Sequence, residues 1–185
     1  GYIQTTPLQL CLMTAQIANG GYKIKPKIIV NDDPLSLEEA KNSMELQSLQ
    51  KSNTRLFNNP KNIKIVQEAM FSSTNEQYGT SYKSRIDDPK YQFAGKTGTA
   101  QVKRISMRER ELDLKLEQIP YKDRDHALYV AYGPYKNPRY ALSIIVEHGG
   151  SGSKAAAPMA KELFKLIIDR HDLRDKQTNF ENINI

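Results

Sequence analysis

The first stretch with a clear pattern of apolar positions is TTPLQLCLMTAQIANGG, residues 5–21. Apolar side chains would cover nearly every side of a helix here, so we expect that helix to be buried. Thr6 suits the N-cap, Pro7 suits the first helical position, and Gln9 completes a capping box with Thr6. The Asn-Gly-Gly that follows tolerates the left-handed backbone at which many helices end. Cys11, inside this helix, is expected to act as a small core residue.

Two further helices are indicated by capping residues and apolar spacing. Asn59 and Pro60 suit a cap and a first helical position. The apolar residues after them share one stripe: Ile63, Val66 and Met70. The segment KAAAPMAKELFKLIIDR, with Pro158 in its first turn, predicts a closing amphipathic helix. The remaining residues, 171–185, predict a polar, frayed and flexible tail.

Strand patterns lie between these helices. Residues 22–30, YKIKPKIIV, predict a short edge strand, because Pro26 would interrupt a central one. Phe93–Val102 is the next strand candidate. The segments ALYVAYG and YALSIIVEHGG are rich in β-branched and aromatic residues, and with the connection PYKNPR they predict a β-hairpin. Helices segregate from an antiparallel sheet in this order of elements, which predicts an α+β fold.

Two polar segments interrupt the pattern. Residues 31–58 lack a firm period and predict a surface insertion. Residues 103–126 are dense in charges of both signs, which favours a solvated flap or helical excursion over a binding patch. We expect residues 1–170, apart from these insertions, to belong to one domain.

Composition narrows the classes of partner. The chain of 185 residues carries a formal net charge of +6, but its lysines are scattered and no aromatic-interleaved basic cluster is present. We therefore predict no nucleic-acid binding. A single cysteine excludes an intrachain disulfide, and no apolar run is long enough to span a membrane. The mean hydropathy of −0.64 indicates that some segments are largely solvated.

The candidate chemistry lies in FAGKTGTAQV, residues 93–102, for which several interpretations compete. A Gly-Lys-Thr can end a phosphate-binding loop, but that motif requires a glycine five positions before Gly95, where the chain has Lys90. The preceding YQFA is typical of a strand, so the nest of backbone N–H groups that holds phosphate cannot form. Nucleotide binding is therefore disfavoured.

A hydrolase nucleophile elbow is a second interpretation, for residues 149–153. The sequence GGSGS begins like that motif, but its fifth residue is Ser153 rather than glycine. The three histidines show no spacing that suggests a catalytic triad: His126, His148 and His171. We expect each of them to be an ordinary, partly exposed residue.

The remaining interpretation is the Lys-Thr-Gly strand of acyl-serine enzymes. Lys96 would supply positive charge for a substrate carboxylate and help to tune proton transfer at a neighbouring serine. The hydroxyls of Thr97 and Thr99 can hold that carboxylate, and Gly98 lets backbone and substrate approach closely. The N–H of the residue after the glycine can donate to an oxyanion. We predict neither a cofactor nor a metal.

Four segments carry a family resemblance in the family's order. They are the first helix with the Lys-Pro after it, AGKTGTAQV, HALYVAYGPYKNPRYALSIIVEHGG and AAAPMAKELF. Together they resemble the C-terminal part of the transpeptidase domain of class B penicillin-binding proteins, above all the penicillin-binding protein 2 group. The resemblance implies a serine β-lactamase-like fold with Lys96–Thr99 on the strand that lines the active site. It also implies an oxyanion hole that pairs the Thr99 N–H with that of the nucleophilic serine.

The family resemblance also implies a function and partners. It implies a periplasmic D,D-transpeptidase that cross-links peptidoglycan stem peptides ending in D-Ala-D-Ala during cell elongation, and that β-lactam antibiotics trap. An elongation-complex glycan polymerase would be its partner. The parent protein would be anchored in the inner membrane by a helix N-terminal to this chain.

The same mechanism needs S-x-x-K and S-x-N motifs, and the chain offers two formal matches: Ser48–Lys51 and Ser73–Asn75. Both follow the TTPLQL helix, whereas the family has both motifs before it. The first match also falls in the polar insertion. We therefore expect the nucleophile, its lysine and the S-x-N loop to lie upstream, and this chain alone to be inactive.

Two alternatives stay open. A D,D-carboxypeptidase or a β-lactamase-like sensor would use the same strand, although the TTPLQL helix favours the class B transpeptidases. A non-catalytic, partner-binding remnant of a split gene belongs to another class, and the genomic sequence before Gly1 would decide it.

Overall fold

The computed structural model describes residues 4–26, 55–103, 111–112 and 114–183, with only the backbone described for residues 175–183. Most of the predicted insertion 31–58 and part of the charged segment 103–126 lie outside these ranges. Residues 27–30 of the predicted edge strand also lie outside them. In its described part, that strand is reduced to a single bridge between Tyr22 and Arg55, so the strand prediction was wrong there.

Three helices and three strands make up the fold in the described ranges. In chain order they are α1 (Pro7–Ala18), α2 (Pro60–Asn75), β1 (Ala94–Ala100), β2 (His126–Gly133), β3 (Tyr140–Val146) and α3 (Ala157–Ile183). The strands form one antiparallel sheet in the order β1-β2-β3. The α+β class, the strand within 93–102 and the hairpin are thereby confirmed.

The ends of α1 follow from the sequence. The Thr6 side chain accepts a hydrogen bond from the Gln9 N–H at 3.2 Å, and the Gln9 side chain accepts one from the Thr6 N–H at 2.8 Å. This reciprocal pair is the predicted capping box, with Pro7 at the first helical position. Gly20 and Gly21 then take φ angles of 89° and 90°, which are accessible to glycine at little cost.

The predicted burial of α1 was wrong. Thr14 is its one buried residue, while Leu8 is 58% and Met13 46% exposed. Among the described elements, α1 packs chiefly against β3 and β2. Cys11 is half-buried rather than in the core; its thiol donates to the Ala141 carbonyl at 3.4 Å, and burial raises its pKa.

Helices cover both faces of the sheet. On one face α3 packs through small residues that permit close approach, and the Phe93 and Phe164 rings stack at 4.8 Å. The main residues of this layer are Phe93, Ala127, Tyr129, Ala131, Ala157, Ala160 and Phe164. On the other face α1 and α2 pack around Met70, Ala94 and Tyr132. Neighbouring residues of β2, such as Ala131 and Tyr132, thus enter different layers, as the two-residue period of a strand requires.

A buried polar network lies where β1 meets α2. The Tyr129 hydroxyl is 2.9 Å from the Thr74 hydroxyl and 3.1 Å from the Ser81 hydroxyl. Tyr129 reaches them because Gly95 carries no side chain: a Cβ there would overlap the Tyr129 hydroxyl and lie 2.5 Å from its ring Cζ. The pKa of Tyr129 is raised by burial, so it stays a neutral hydrogen-bonding group.

The last helix is held by ion pairs near its middle. Lys90 Nζ lies 2.8 Å from Asp169 Oδ1 and 3.1 Å from Asp172 Oδ2. The hydrogen bond from Lys90 holds the pKa of Asp169 below its usual range. Tyr140 Oη lies 2.7 Å from His171 Nδ1. Two of these residues, His171 and Asp172, lie beyond the predicted helix end. The backbone is helical to Ile183, where a frayed tail was expected from residue 171.

The described part of the charged segment 103–126 is mostly exposed and contains two single helical turns, Leu116–Gln118 and Tyr121–Asp123. Lys103 pairs with Asp123 at 3.2 Å, which connects the second turn to the segment just after β1. Within the described ranges, no helix has both the length and the apolar character needed to cross a membrane.

Two tyrosines on β2 provide a matched pair for a stability test. Both are fully buried, but the Tyr132 hydroxyl has no hydrogen-bond partner among the described residues. Tyr129→Phe should lower the free energy of unfolding by about 1–2 kcal/mol, because two hydrogen bonds are lost. Tyr132→Phe should leave it unchanged or raise it, because an unpaired buried hydroxyl is removed. Urea or thermal unfolding checks this, and the reverse order would contradict the network.

Glycine replacement tests the close approach at β1. Gly95→Ala should cost about 2–3 kcal/mol, because the new methyl overlaps the Tyr129 hydroxyl. Gly98→Ala is the matched control: its Cβ would meet only Leu128 Cβ, at 3.2 Å. The melting temperatures of the two variants give the comparison. Equal losses would show that the Tyr129 hydroxyl does not set the requirement at position 95.

Candidate active site

The four candidate residues, Lys96–Thr99, lie on β1, which is an edge strand of the sheet. They pair in register with β2: Lys96 with Val130, Thr97 with Tyr129, Gly98 with Leu128 and Thr99 with Ala127. Lys96 and Thr99 are exposed, and Thr97 and Gly98 are half-buried. Among the described residues, no strand pairs with the outer edge of β1. The structure thus brings all four together on an accessible strand, and their roles stay predictions.

Lys96 lines a groove on the α1–α2 side of the sheet. The groove has a volume of about 660 Å³. Apart from Lys96 it is lined largely by apolar side chains, among them Met13, Ile17, Ile65, Val66, Met70 and Val130. Val66, predicted on the apolar stripe of α2, is 41% exposed here. The Lys96 ammonium donates to the Thr97 carbonyl at 2.8 Å, so it is held close to the strand.

Thr97 belongs to a line of three hydroxyls. Its Oγ1 lies 3.2 Å from Thr80 Oγ1, which lies 3.3 Å from Ser73 Oγ. The sequence analysis assigned no role to Thr80. No local pattern signals this contact, because Thr80 and Thr97 are 17 residues apart in the chain.

A tight turn presents Thr80 to β1. A Cβ at Gly79 would overlap the Ser73 carbonyl oxygen and lie 2.5 Å from that of Ser72, so the turn packs directly on the end of α2. The Ser81 N–H and hydroxyl both donate to the Ser73 carbonyl, each at 3.0 Å. These bonds also satisfy a carbonyl at the helix end.

The helical turn Gly152–Ala156, which leads into α3, also contacts β1. A Cβ at Gly152 would overlap the Leu128 carbonyl oxygen and lie 2.7 Å from that of Gly98. Gly98 is less constrained, since its own Cβ would meet only Leu128 Cβ. Internal packing therefore makes a weaker demand for glycine at position 98 than at 95 or 152. The expectation that Gly98 lets backbone and substrate approach closely stays a prediction.

Of the two formal serine motifs, only Ser73–Asn75 lies among the described residues. Ser48 and Lys51 lie outside the described residues. Ser73-Thr74-Asn75 forms the end of α2, where Thr74 is buried against Tyr129. The Asn75 amide donates to the Phe71 and Phe93 carbonyls, at 3.0 and 2.9 Å. Its amide N–H groups hold α2 to the segment before β1, which agrees with rejecting this motif as a catalytic loop.

The histidines have partners other than serine. The His148 N–H donates to His126 Nδ1 at 2.9 Å, and His148 Nδ1 lies 3.0 Å from the Arg124 carbonyl. His171 contacts Tyr140. All three are half-buried, and no triad forms in the described ranges. The same ranges contain no cluster of three or more side chains suited to a metal ion.

Comparison with known proteins places this strand in a family. The family model described as the penicillin binding protein transpeptidase domain matches residues 1–165. The peptidoglycan D,D-transpeptidase MrdA of Salmonella typhimurium is 31% identical over 91% of this chain, and that of Haemophilus influenzae is 30% identical over 92%. The chain spans about a quarter of the length of these relatives, 26% and 25% respectively.

Solved structures agree. Penicillin-binding protein 2 of Pseudomonas aeruginosa, solved in complex with WCK 5153, is 31% identical with a TM-score of 0.61, covering 90% of this chain and 31% of that one. Penicillin-binding protein 2 of Helicobacter pylori, solved in complex with MreC, is also 31% identical, with a TM-score of 0.60 and coverages of 90% and 26%. The chain therefore belongs to the penicillin-binding protein transpeptidase domain family and carries part of that domain.

Proposed function

We propose that this chain is the Lys-Thr-Gly-Thr part of a peptidoglycan D,D-transpeptidase that works through an acyl-serine intermediate. One observation carries the proposal: Lys96–Thr99 lie on an accessible edge strand beside an open groove, in a chain of the transpeptidase family. The two relatives compared above are both named peptidoglycan D,D-transpeptidase, which favours this activity over a carboxypeptidase or a sensor.

The first step would form an acyl-enzyme. A serine from the rest of the protein attacks the carbonyl between the two D-Ala residues of a stem peptide. The serine proton passes to a base, and the leaving amine takes up a proton as D-Ala departs. The Thr99 N–H, with that of the serine, would donate to the oxyanion while the tetrahedral intermediate exists. An amine of a second stem peptide then attacks the acyl-serine ester and releases the serine.

The described residues would bind the donor's carboxylate. The Lys96 ammonium supplies the opposite charge, and hydroxyls at Thr97 and Thr99 can each donate one hydrogen bond. Lys96 now donates to the Thr97 carbonyl, and its flexible stem allows it to turn towards a bound anion. β-Lactam antibiotics carry a comparable carboxylate beside a reactive carbonyl, so the same residues would hold them.

The groove beside Lys96 supports the expectation that another part of the protein completes the site. Its side chains are apolar and partly exposed: Met13 is 46%, Ile65 62% and Val66 41% exposed. Contiguous apolar surface of this kind is usually covered by another element or a partner. We propose that upstream residues of the same protein, including the reactive serine and its lysine, cover it.

Location and partners follow as further parts of the proposal. A protein that cross-links peptidoglycan works on the periplasmic face of the inner membrane, held there by an anchor upstream of this chain. The family relative of Helicobacter pylori was solved with MreC. We propose that the whole protein likewise joins an elongation assembly, with a glycan polymerase as a functional partner.

Covalent labelling tests the missing nucleophile. Fluorescent penicillin should label the full-length protein and leave the isolated 185-residue chain unlabelled. Gel fluorescence and peptide mass spectrometry give the labelled position. Labelling of the isolated chain at Ser48 would contradict the proposal that the reactive serine lies outside this chain.

Substitution of Lys96 tests the carboxylate-binding role. In the full-length protein, Lys96→Gln should lower the second-order rate constant of acylation by benzylpenicillin about 10- to 100-fold, because a charge-assisted hydrogen bond is lost. Lys83→Gln, at another exposed lysine, is the matched control and should leave the rate unchanged. Stopped-flow or quenched acylation gives both constants. Equal rates for the two variants would contradict the role of Lys96.

A further inference from the structure

The line of hydroxyls behind Thr97 extends the proposed carboxylate site by one residue. Thr80 lies between Thr97 and Ser73, with oxygen–oxygen distances of 3.2 and 3.3 Å. Thr80 is exposed and borders the same groove as Lys96, so it lies at the proposed cleft rather than in the core.

The position of Thr80 is held by its neighbours on both sides. Gly79 packs against the end of α2, and its N–H donates to the Glu76 carbonyl at 2.8 Å. On the other side the Ser81 hydroxyl joins the buried Tyr129 network. Both chain neighbours of Thr80 are therefore anchored, Gly79 to α2 and Ser81 to β2, and this holds the Thr80 side chain beside Thr97.

Because a hydroxyl has only one proton to donate, the hydrogen bonds along Ser73, Thr80 and Thr97 must all run in the same direction once Thr97 donates to a ligand. Each hydroxyl donates one hydrogen bond and accepts up to two. If Thr97 donates its proton to a substrate carboxylate, it can only accept from Thr80, and Thr80 can then only accept from Ser73. Hydrogen bonds that run in one direction reinforce each other, so the Thr97 hydroxyl becomes a better-aligned donor to the anion.

We infer that Thr80 is a positioning residue that orients the Thr97 hydroxyl towards the carboxylate of the stem-peptide donor or a β-lactam. It acts through Thr97 and does not itself contact the carboxylate. The inference rests on the proposed function, since it concerns the same carboxylate.

The test uses acylation of the full-length protein by benzylpenicillin and by benzylpenicillin methyl ester, which lacks the carboxylate charge. Thr80→Val removes the hydroxyl and keeps the shape. It should lower the acylation rate constant for the acid about 3- to 10-fold, the effect of one net hydrogen bond, and change that for the ester less than about 2-fold. Thr80→Ser keeps a hydroxyl and should restore a rate for the acid near that of the unmodified protein.

A double-mutant cycle with Thr97→Val separates positioning from direct contact. If Thr80 acts through Thr97, Thr80→Val should have no further effect on acylation by the acid in the Thr97→Val background. Additive losses would overturn the inference and assign Thr80 a contact of its own. An equal loss for acid and ester would overturn it too, since that result indicates general disturbance of the turn. An unchanged rate for Thr80→Val with the acid would also overturn it.

The unmodified protein distinguishes failure of the inference from failure of the proposed function. If the unmodified full-length protein is not acylated by benzylpenicillin, the proposed acyl-serine function is wrong and the inference falls with it. If the unmodified protein is acylated but the Thr80 variants fail the comparisons above, only the inference is wrong. Melting temperatures of the Thr80 variants should agree closely with that of the unmodified protein, because Thr80 is exposed.

Discussion

The contact between the Tyr129 hydroxyl and the glycine-bearing stretch of β1 is the constraint on which the candidate site depends. Tyr129 comes from the middle strand and passes the position where Gly95 lacks a side chain. Beyond it, the hydroxyl joins Thr74 at the end of α2 and Ser81 in the following turn. One buried polar group therefore sets the spacing between strand, helix and turn. A purely apolar contact would be less directional and would allow these elements to slide.

This arrangement gives the two sides of β1 different tasks. On the Tyr129 side, β1 contacts the helical turn Gly152–Ala156 that leads into α3, and Gly152 allows close approach to the sheet. On the opposite side, Lys96 lines an open apolar groove between α1 and α2. The strand is thus held by packing on one side, while Lys96 stays accessible on the other. Such a division suits a binding wall, because preorganised groups lose little freedom when a ligand arrives.

Several elements could be predicted because their causes are local. The capping box of Thr6 and Gln9, the Asn59 cap and the two-residue period of the hairpin each depend on neighbours within a few residues. Other features could not be predicted because distant residues decide them. The apolar pattern of α1 predicted burial, yet burial depends on which elements lie against each side. The polar composition after residue 170 predicted a frayed tail, but His171 and Asp172 in that segment contact Tyr140 and Lys90, which are remote in sequence.

The sequence by itself determined the α+β class, the strand that carries Lys96–Thr99 and the family to which those residues point, because motif order and side-chain periodicity are written along the chain. Only the tertiary structure decided which side chains meet at that strand. Thr74 and Tyr129 are 55 residues apart, and Thr80 and Thr97 are 17 apart. Their hydroxyls are brought together by the packing of α2 against β1. Hydrogen bonds act over about 3 Å, so a pattern along the chain cannot reveal partners that folding alone brings within that distance.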